Sequence, residues 1–124
     1  MVCEKCESKI YSPINTLNKK YIVYHCGEYS KELKEIIISF KYNNSIRLKN
    51  LFGKLLFKKI SELDVDSSFY ISFISSNKKS IREKGFEPGR EIAKSFSKFS
   101  GLPMVDLFEN KSHKRHAEMN LEER

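Results

Sequence analysis

The stretch Phe69-Tyr70-Ile71-Ser72-Phe73-Ile74 decides the fold. It is aromatic and β-branched, and neither of its alternating faces is charged. Such a run reads as a strand buried on both sides, as in a parallel sheet. Leu102-Pro103-Met104-Val105-Asp106-Leu107-Phe108 reads as the next strand. Between them, Pro88 suits the first turn of a helix and Gly101 its end. Ile92, Ala93, Phe96 and Phe99 supply that helix with a buried stripe. Strand, loop, helix and strand from Phe69 to Phe108 make one βαβ unit, expected to be right-handed.

Working back from this unit, Ser45 is placed to cap a helix running to about Glu62. Its apolar face is Leu48, Leu51, Phe52, Leu55, Leu56 and Ile60, and Lys49, Lys54, Lys58 and Lys59 lie mostly elsewhere on the wheel. Before it, Ser30 is placed to cap a helix to about Phe40 through Leu33, Ile36 and Ile37, broken at Tyr42-Asn43-Asn44. Tyr21-Ile22-Val23-Tyr24 is a short β-prone run ended by Gly27. Residues 1–27 form a separate head, and residues 28–124 the main domain. Ser75 to Glu87 reads as a basic, irregular loop. Asn110 to Arg124 is charged, with helix expected from about His116. One βαβ unit and two preceding helices cannot cover both faces of a parallel sheet. The chain therefore reads as the front part of an α/β domain.

The chain has 124 residues, of which 40% are apolar and 31% charged. Apolar residues are plentiful enough to build a core, which argues against disorder. No apolar run approaches the roughly 20 residues that span a bilayer, and the polar start Met1-Val2-Cys3-Glu4-Lys5-Cys6 is not a secretory signal. A cytoplasmic location is expected, with no membrane partner. Three cysteines cannot all pair, and cytosolic thiols stay reduced, so a disulfide framework is not expected. Lys and Arg number 23 against 16 acidic residues, a formal charge of +7. That balance favours anionic partners such as nucleic acids, nucleotides and phosphates.

Cys3-x-x-Cys6 has the spacing of half a zinc knuckle, two thiolates able to grip one metal. His25 and Cys26 are the next candidate ligands for zinc, although neighbours in an extended run point to opposite faces. The loop from Ser75 to Phe86 is the most suggestive stretch. It follows the carboxyl end of a predicted parallel strand, where α/β sheets place ligands. It also joins four cations, several Ser and Asn donors and a glycine, and it precedes a helix N-terminus. That recipe suits a pyrophosphate, with Ser75, Ser76, Lys79, Arg82, Lys84 and Gly85 as its candidate ligands. His113-Lys114-Arg115-His116 reads as a solvated basic patch. The sequence holds no Ser-His-Asp logic, no P-loop and no GxGxxG.

In order, these motifs resemble the ComF (GntX) family, phosphoribosyltransferase-like proteins linked to bacterial competence. An amino-terminal Cys3-x-x-Cys6 comes first. Tyr29-Ser30-x-x-Leu33-x-x-Ile36-x-x-x-Phe40-Lys41-Tyr42 is similar to the family's "FKY" segment. Arg82-Glu83-Lys84-Gly85-Phe86-Glu87 resembles its "RxRGFNQ" box. Gly101-Leu102-Pro103, leading to His116-x-x-Met119 and Glu123-Arg124, resembles its closing segment. The departures are a missing second cysteine pair, of which only Cys26 remains, and Glu87-Pro88 in place of Asn-Gln. The resemblance implies a partial type I phosphoribosyltransferase-like α/β fold, helices plus a parallel βαβ unit, with a degenerate zinc-ribbon-like knuckle. It implies a role in DNA uptake during natural competence. In a complete chain it implies Mg²⁺ with phosphoribosyl pyrophosphate. The family's phosphoribosyl-pyrophosphate loop, an acidic pair before Thr-Thr-Gly, is absent from the sequence. The chain is therefore expected to be truncated before that loop and inactive alone, which leaves its standing as an enzyme open.

A second expectation comes from another class: a non-catalytic basic module. Lys78, Lys79, Arg82, Lys84, Lys114 and Arg115 would contact single-stranded DNA or a DNA-processing partner such as a DNA-uptake helicase. Tyr21, Tyr24 and Tyr42 are available for base stacking, but the sequence does not place them on one face. A third is a zinc-stabilised protein-interaction domain. An uncovered sheet edge or face also predicts a homodimer.

Overall fold

The computed structural model describes residues 4–11, 15–17, 22–43, 45–63, 65 and 67–111. They are mostly helical. Helix α1 spans Glu4–Ile10 and is followed by strands β1 (Asn15–Leu17) and β2 (Ile22–Tyr24). Then come α2 (Lys31–Tyr42), a 3-10 turn (Ile46–Leu48), α3 (Lys49–Ser61), α4 (Lys78–Lys84) and α5 (Pro88–Ser100). Among the described residues, no helix is long and apolar enough to cross a membrane.

The main core forms where α3 crosses α5. Helix α5 has the bounds its sequence predicts, with Pro88 in its first turn and Gly101 closing it at φ 76°, but Phe99 of the expected buried stripe is exposed near the helix end. Ala93 packs with Ile71 and Phe73, and Phe96, Leu102 and Met104 close around them. The two strands expected on either side of α5 lie parallel. The Ile71 N–H donates to the Pro103 carbonyl at 2.8 Å, and the Val105 N–H to the Ile71 carbonyl at 2.8 Å. Pairing is confined to one bridge, Ile71 to Met104, rather than extending over 69–74 and 102–108. Pro103 has no N–H to give to a ladder. Further along, side chains replace the ladder: the Ser75 hydroxyl donates to the Phe108 carbonyl, and Asn110 Nδ2 to the Ser75 carbonyl at 2.9 Å.

Helix α2 runs on past Phe40 to Tyr42. Ser30 stands at its N-cap, but its side chain makes no capping bond. Phe40 is only 1% exposed, with the rings of Phe52 and Phe86 at centroid distances of 5.2 and 5.5 Å. Ser45 heads the 3-10 turn, and α3 follows from Lys49. Lys59 departs from the expected wheel: it is 3% exposed, and its ammonium lies 5.1 Å from the Tyr11 ring centroid. Lys58 lies over the same ring at 4.1 Å. A lysine stem buries easily along apolar surface while its head finds a polar or aromatic neighbour.

The head also holds more regular structure than its sequence suggests. Strand β1 pairs antiparallel with β2, Asn15 opposite Tyr24 and Leu17 opposite Ile22, and Tyr11 bridges to Gly27. Ile10, at the end of α1, is buried beside Leu33, Ile37, Phe52 and Leu55.

Candidate functional site

The segment expected as an irregular loop from Ser75 to Glu87 contains α4. Its caps explain why a short, charged sequence turns helical here. Asn77 Oδ1 accepts the Ser80 N–H at 2.7 Å, which satisfies an otherwise orphaned donor of the first turn. Gly85 takes the left-handed conformation at φ 79°, and its N–H donates to the Ile81 carbonyl at 2.9 Å. At 100° per residue, Lys78, Lys79 and Arg82 fall on the outer side, and all three are exposed. Ser80 faces inward and is buried.

Lys84 leaves the helix on another side. Its ammonium lies 5.3 Å from the ring centroid of Tyr42, which is 55% exposed at the end of α2. Phe86 packs edge-on against Phe40 two residues before that tyrosine, so the end of α4 is fastened to the end of α2. Lys84 and the exposed Tyr42 ring thereby form a cation–aromatic pair on the side of α4 away from Lys78, Lys79 and Arg82. Tyr24 is exposed on β2; Tyr21, Lys114 and Arg115 lie outside the described residues.

The strand end beside α4 carries a different chemistry. The Ser76 N–H donates to Glu87 Oε1 at 2.8 Å, and Glu87 Oε2 accepts from Arg90 Nε at 3.0 Å. Glu87 is 8% exposed. Arg90 also donates from Nη1 to Asp106 Oδ2 at 2.9 Å, and its guanidinium carbon lies 4.8 Å from the Phe73 ring centroid. Hydrogen bonds to Asp106 and then to Glu87 push the guanidinium pKa above its ordinary value.

The six candidate pyrophosphate ligands are thus dispersed. Ser75 and Ser76 precede α4, with the Ser76 N–H already given to Glu87. Lys79 and Arg82 face solvent, Lys84 faces Tyr42, and Gly85 closes the carboxyl end of α4. That is the negative end of a helix dipole. Seven helical residues at 1.5 Å each put about 10 Å of helix between Ser76 and Gly85. Sequence reasoning missed Asn77, Glu87, Arg90 and Asp106. For the first three a signal existed: Asn77 eight residues before Gly85, and a Glu immediately before Pro88 with Arg90 three positions on.

The candidate zinc ligands do not assemble among the described residues. Cys3 lies outside them, and Cys6 falls within α1 rather than on a turn. Cys26 donates its thiol to the Leu55 carbonyl at 3.5 Å. Burial pushes that thiol pKa up; Lys59 pulls against the shift and Glu62 adds to it. The described residues hold no group of three His, Cys, Asp or Glu side chains placed to bind a metal.

Two apolar cavities complete the picture. One, of about 370 Å³, lies between α3, α5 and the segment at Phe69 to Phe73. The other, of about 310 Å³, lies beside His25 and Cys26. Comparison with protein-family models, curated proteins and solved structures finds no match for the chain.

Proposed function

We propose that the chain is a ComF-like, phosphoribosyltransferase-type protein of the cytoplasm that serves DNA uptake in natural competence as a non-catalytic module. It binds single-stranded DNA along α4. The observation that carries this reading is the outward placement of Lys78, Lys79 and Arg82 on α4, with Lys84 against the exposed ring of Tyr42 at the helix's other side. Single-stranded nucleic acid is held by cations that follow its backbone and by aromatic faces on which bases stack. The parallel hydrogen bonds through Ile71, with α5 between the paired segments, support the phosphoribosyltransferase-type plan.

A second reading is an anion site for pyrophosphate, with Mg²⁺ as a bridge, at Ser75, Ser76, Lys79, Arg82, Lys84 and Gly85. Its support is the position of Ser75 and Ser76, which follow the carboxyl end of a parallel pair, where α/β proteins place ligands; the other four residues are spread along α4. No transfer step follows, because these 124 residues contain no acidic pair before a Thr-Thr-Gly turn.

Two titrations separate the readings, one with a fluorescent oligonucleotide and one with magnesium pyrophosphate. The module reading expects the oligonucleotide to bind more tightly, and a Lys78/Lys79/Arg82→Ala variant to bind it more weakly. Pyrophosphate binding without oligonucleotide binding would reverse the preference.

A further inference from the structure

We propose that Glu87 is a built-in occupant of an oxyanion seat at the strand end, and that it keeps phosphate out of that seat. One backbone N–H, from Ser76, and one guanidinium N–H, from Arg90, converge on a single carboxylate at 2.8 and 3.0 Å. Converging amide and guanidinium donors are the usual grip on a phosphate or sulfate. Here the anion they grip belongs to the chain itself, and only 8% of Glu87 is exposed.

The donors are held by other contacts as well. Arg90 is fixed from its far side by Asp106 at 2.9 Å and rests over the Phe73 ring. Ser76 sits between Ser75, tied to Phe108 and Asn110, and Asn77, which caps α4. Removing the Glu87 carboxylate therefore leaves two donors aimed at one place, each still anchored. A small inorganic oxyanion brings negative charge and acceptor oxygens to the place the carboxylate leaves. Occupancy of this seat is read as stability in inorganic anions, independently of DNA binding at α4.

The test is thermal unfolding of the wild type, Glu87→Ala and Glu87→Gln. Each is measured in chloride and in inorganic phosphate or pyrophosphate at matched ionic strength. The wild type and Glu87→Gln should melt at the same temperature in both, because a side chain still fills the seat. Glu87→Ala should melt lower in chloride. It should recover by roughly 5 °C once phosphate or pyrophosphate exceeds its dissociation constant about tenfold. If Glu87→Ala is unfolded in chloride, either anion should restore its fold. An Ala variant that neither anion restores, or a wild type or Gln variant that responds as strongly as the Ala variant, overturns the proposal.

Discussion

Gly53 of α3 passes so close to Ser95 of α5 that a Cβ at Gly53 would fall 2.8 Å from the serine Cβ and 2.9 Å from its carbonyl carbon. The crossing is pinned alongside by Ser95 Oγ donating to Asn50 Oδ1 at 3.2 Å and by the Lys49–Glu91 ion pair at 3.1 Å. It fixes where α5 begins, and hence where Glu87 and Arg90 stand. Helix propensity alone favours Gly53→Ala by about 1 kcal/mol. Overpacking a tight contact costs about 1–3 kcal/mol, and the clash is with backbone, so we predict net destabilisation. Urea unfolding checks it; a more stable alanine variant would mean that the helices part cheaply.

Phe40 joins α2, α3 and the end of α4 through Phe52 and Phe86. Truncating a buried phenylalanine costs about 3–5 kcal/mol. Phe40→Ala should lower the urea midpoint accordingly and release α4 from Tyr42. A loss below about 1 kcal/mol would show that the site collapses around the gap.

Cys26 should be a slow nucleophile. Burial raises its thiol pKa from the ordinary 9.0, so little thiolate is present at neutral pH. Iodoacetamide labelling followed by peptide mapping should modify Cys26 more slowly in the folded chain than in urea. The linkage has a definite sign. In the window from the ordinary thiol value up to the raised one, the unfolded chain releases its proton first. The contribution to stability is therefore complete below that window and is lost as pH rises through it. Stability unchanged on raising pH through that window, or equal labelling rates, would contradict the placement of the thiol.

Tyr70, Ile74 and Leu107 are exposed on the parallel pair. A row of large apolar groups beside unpaired strand edges favours self-association. Sedimentation equilibrium should show dimers, and Ile74→Lys with Leu107→Lys should shift them towards monomer. A wild type that stays monomeric at high concentration would mean that this face needs no cover.

Helices α2 and α5 were legible because each carries an apolar stripe at helical spacing with turn residues at its ends. Helix α4 was not, because seven mostly polar residues carry no periodic stripe; its identity rests on Asn77 and Gly85, the caps at either end. The strands were over-read. Composition at 69–74 suggests burial on both faces, but only Ile71 and Phe73 are buried while Phe69, Tyr70 and Ile74 are exposed; a ladder also needs a donor, and Pro103 gives none. Lys59 escaped because the helical wheel knows nothing of Tyr11, which arrives from another part of the chain. At the site, the basic residues were visible in sequence, whereas the role of Glu87 depends on Ser76, eleven residues away.

The central claim is that α4 and Tyr42 together hold single-stranded DNA. The direct measurement is fluorescence anisotropy of a labelled oligonucleotide across a salt series, on wild type, Lys78/Lys79/Arg82→Ala and Tyr42→Ala. Each phosphate contact on a single strand contributes about 0.7 to the slope of log affinity against log salt. Losing three cations should therefore flatten the slope by about 2. Tyr42→Ala should leave the slope unchanged and weaken binding by about 1–3 kcal/mol, the worth of one stacked base. Equal affinity and equal slope in all three proteins would contradict the account.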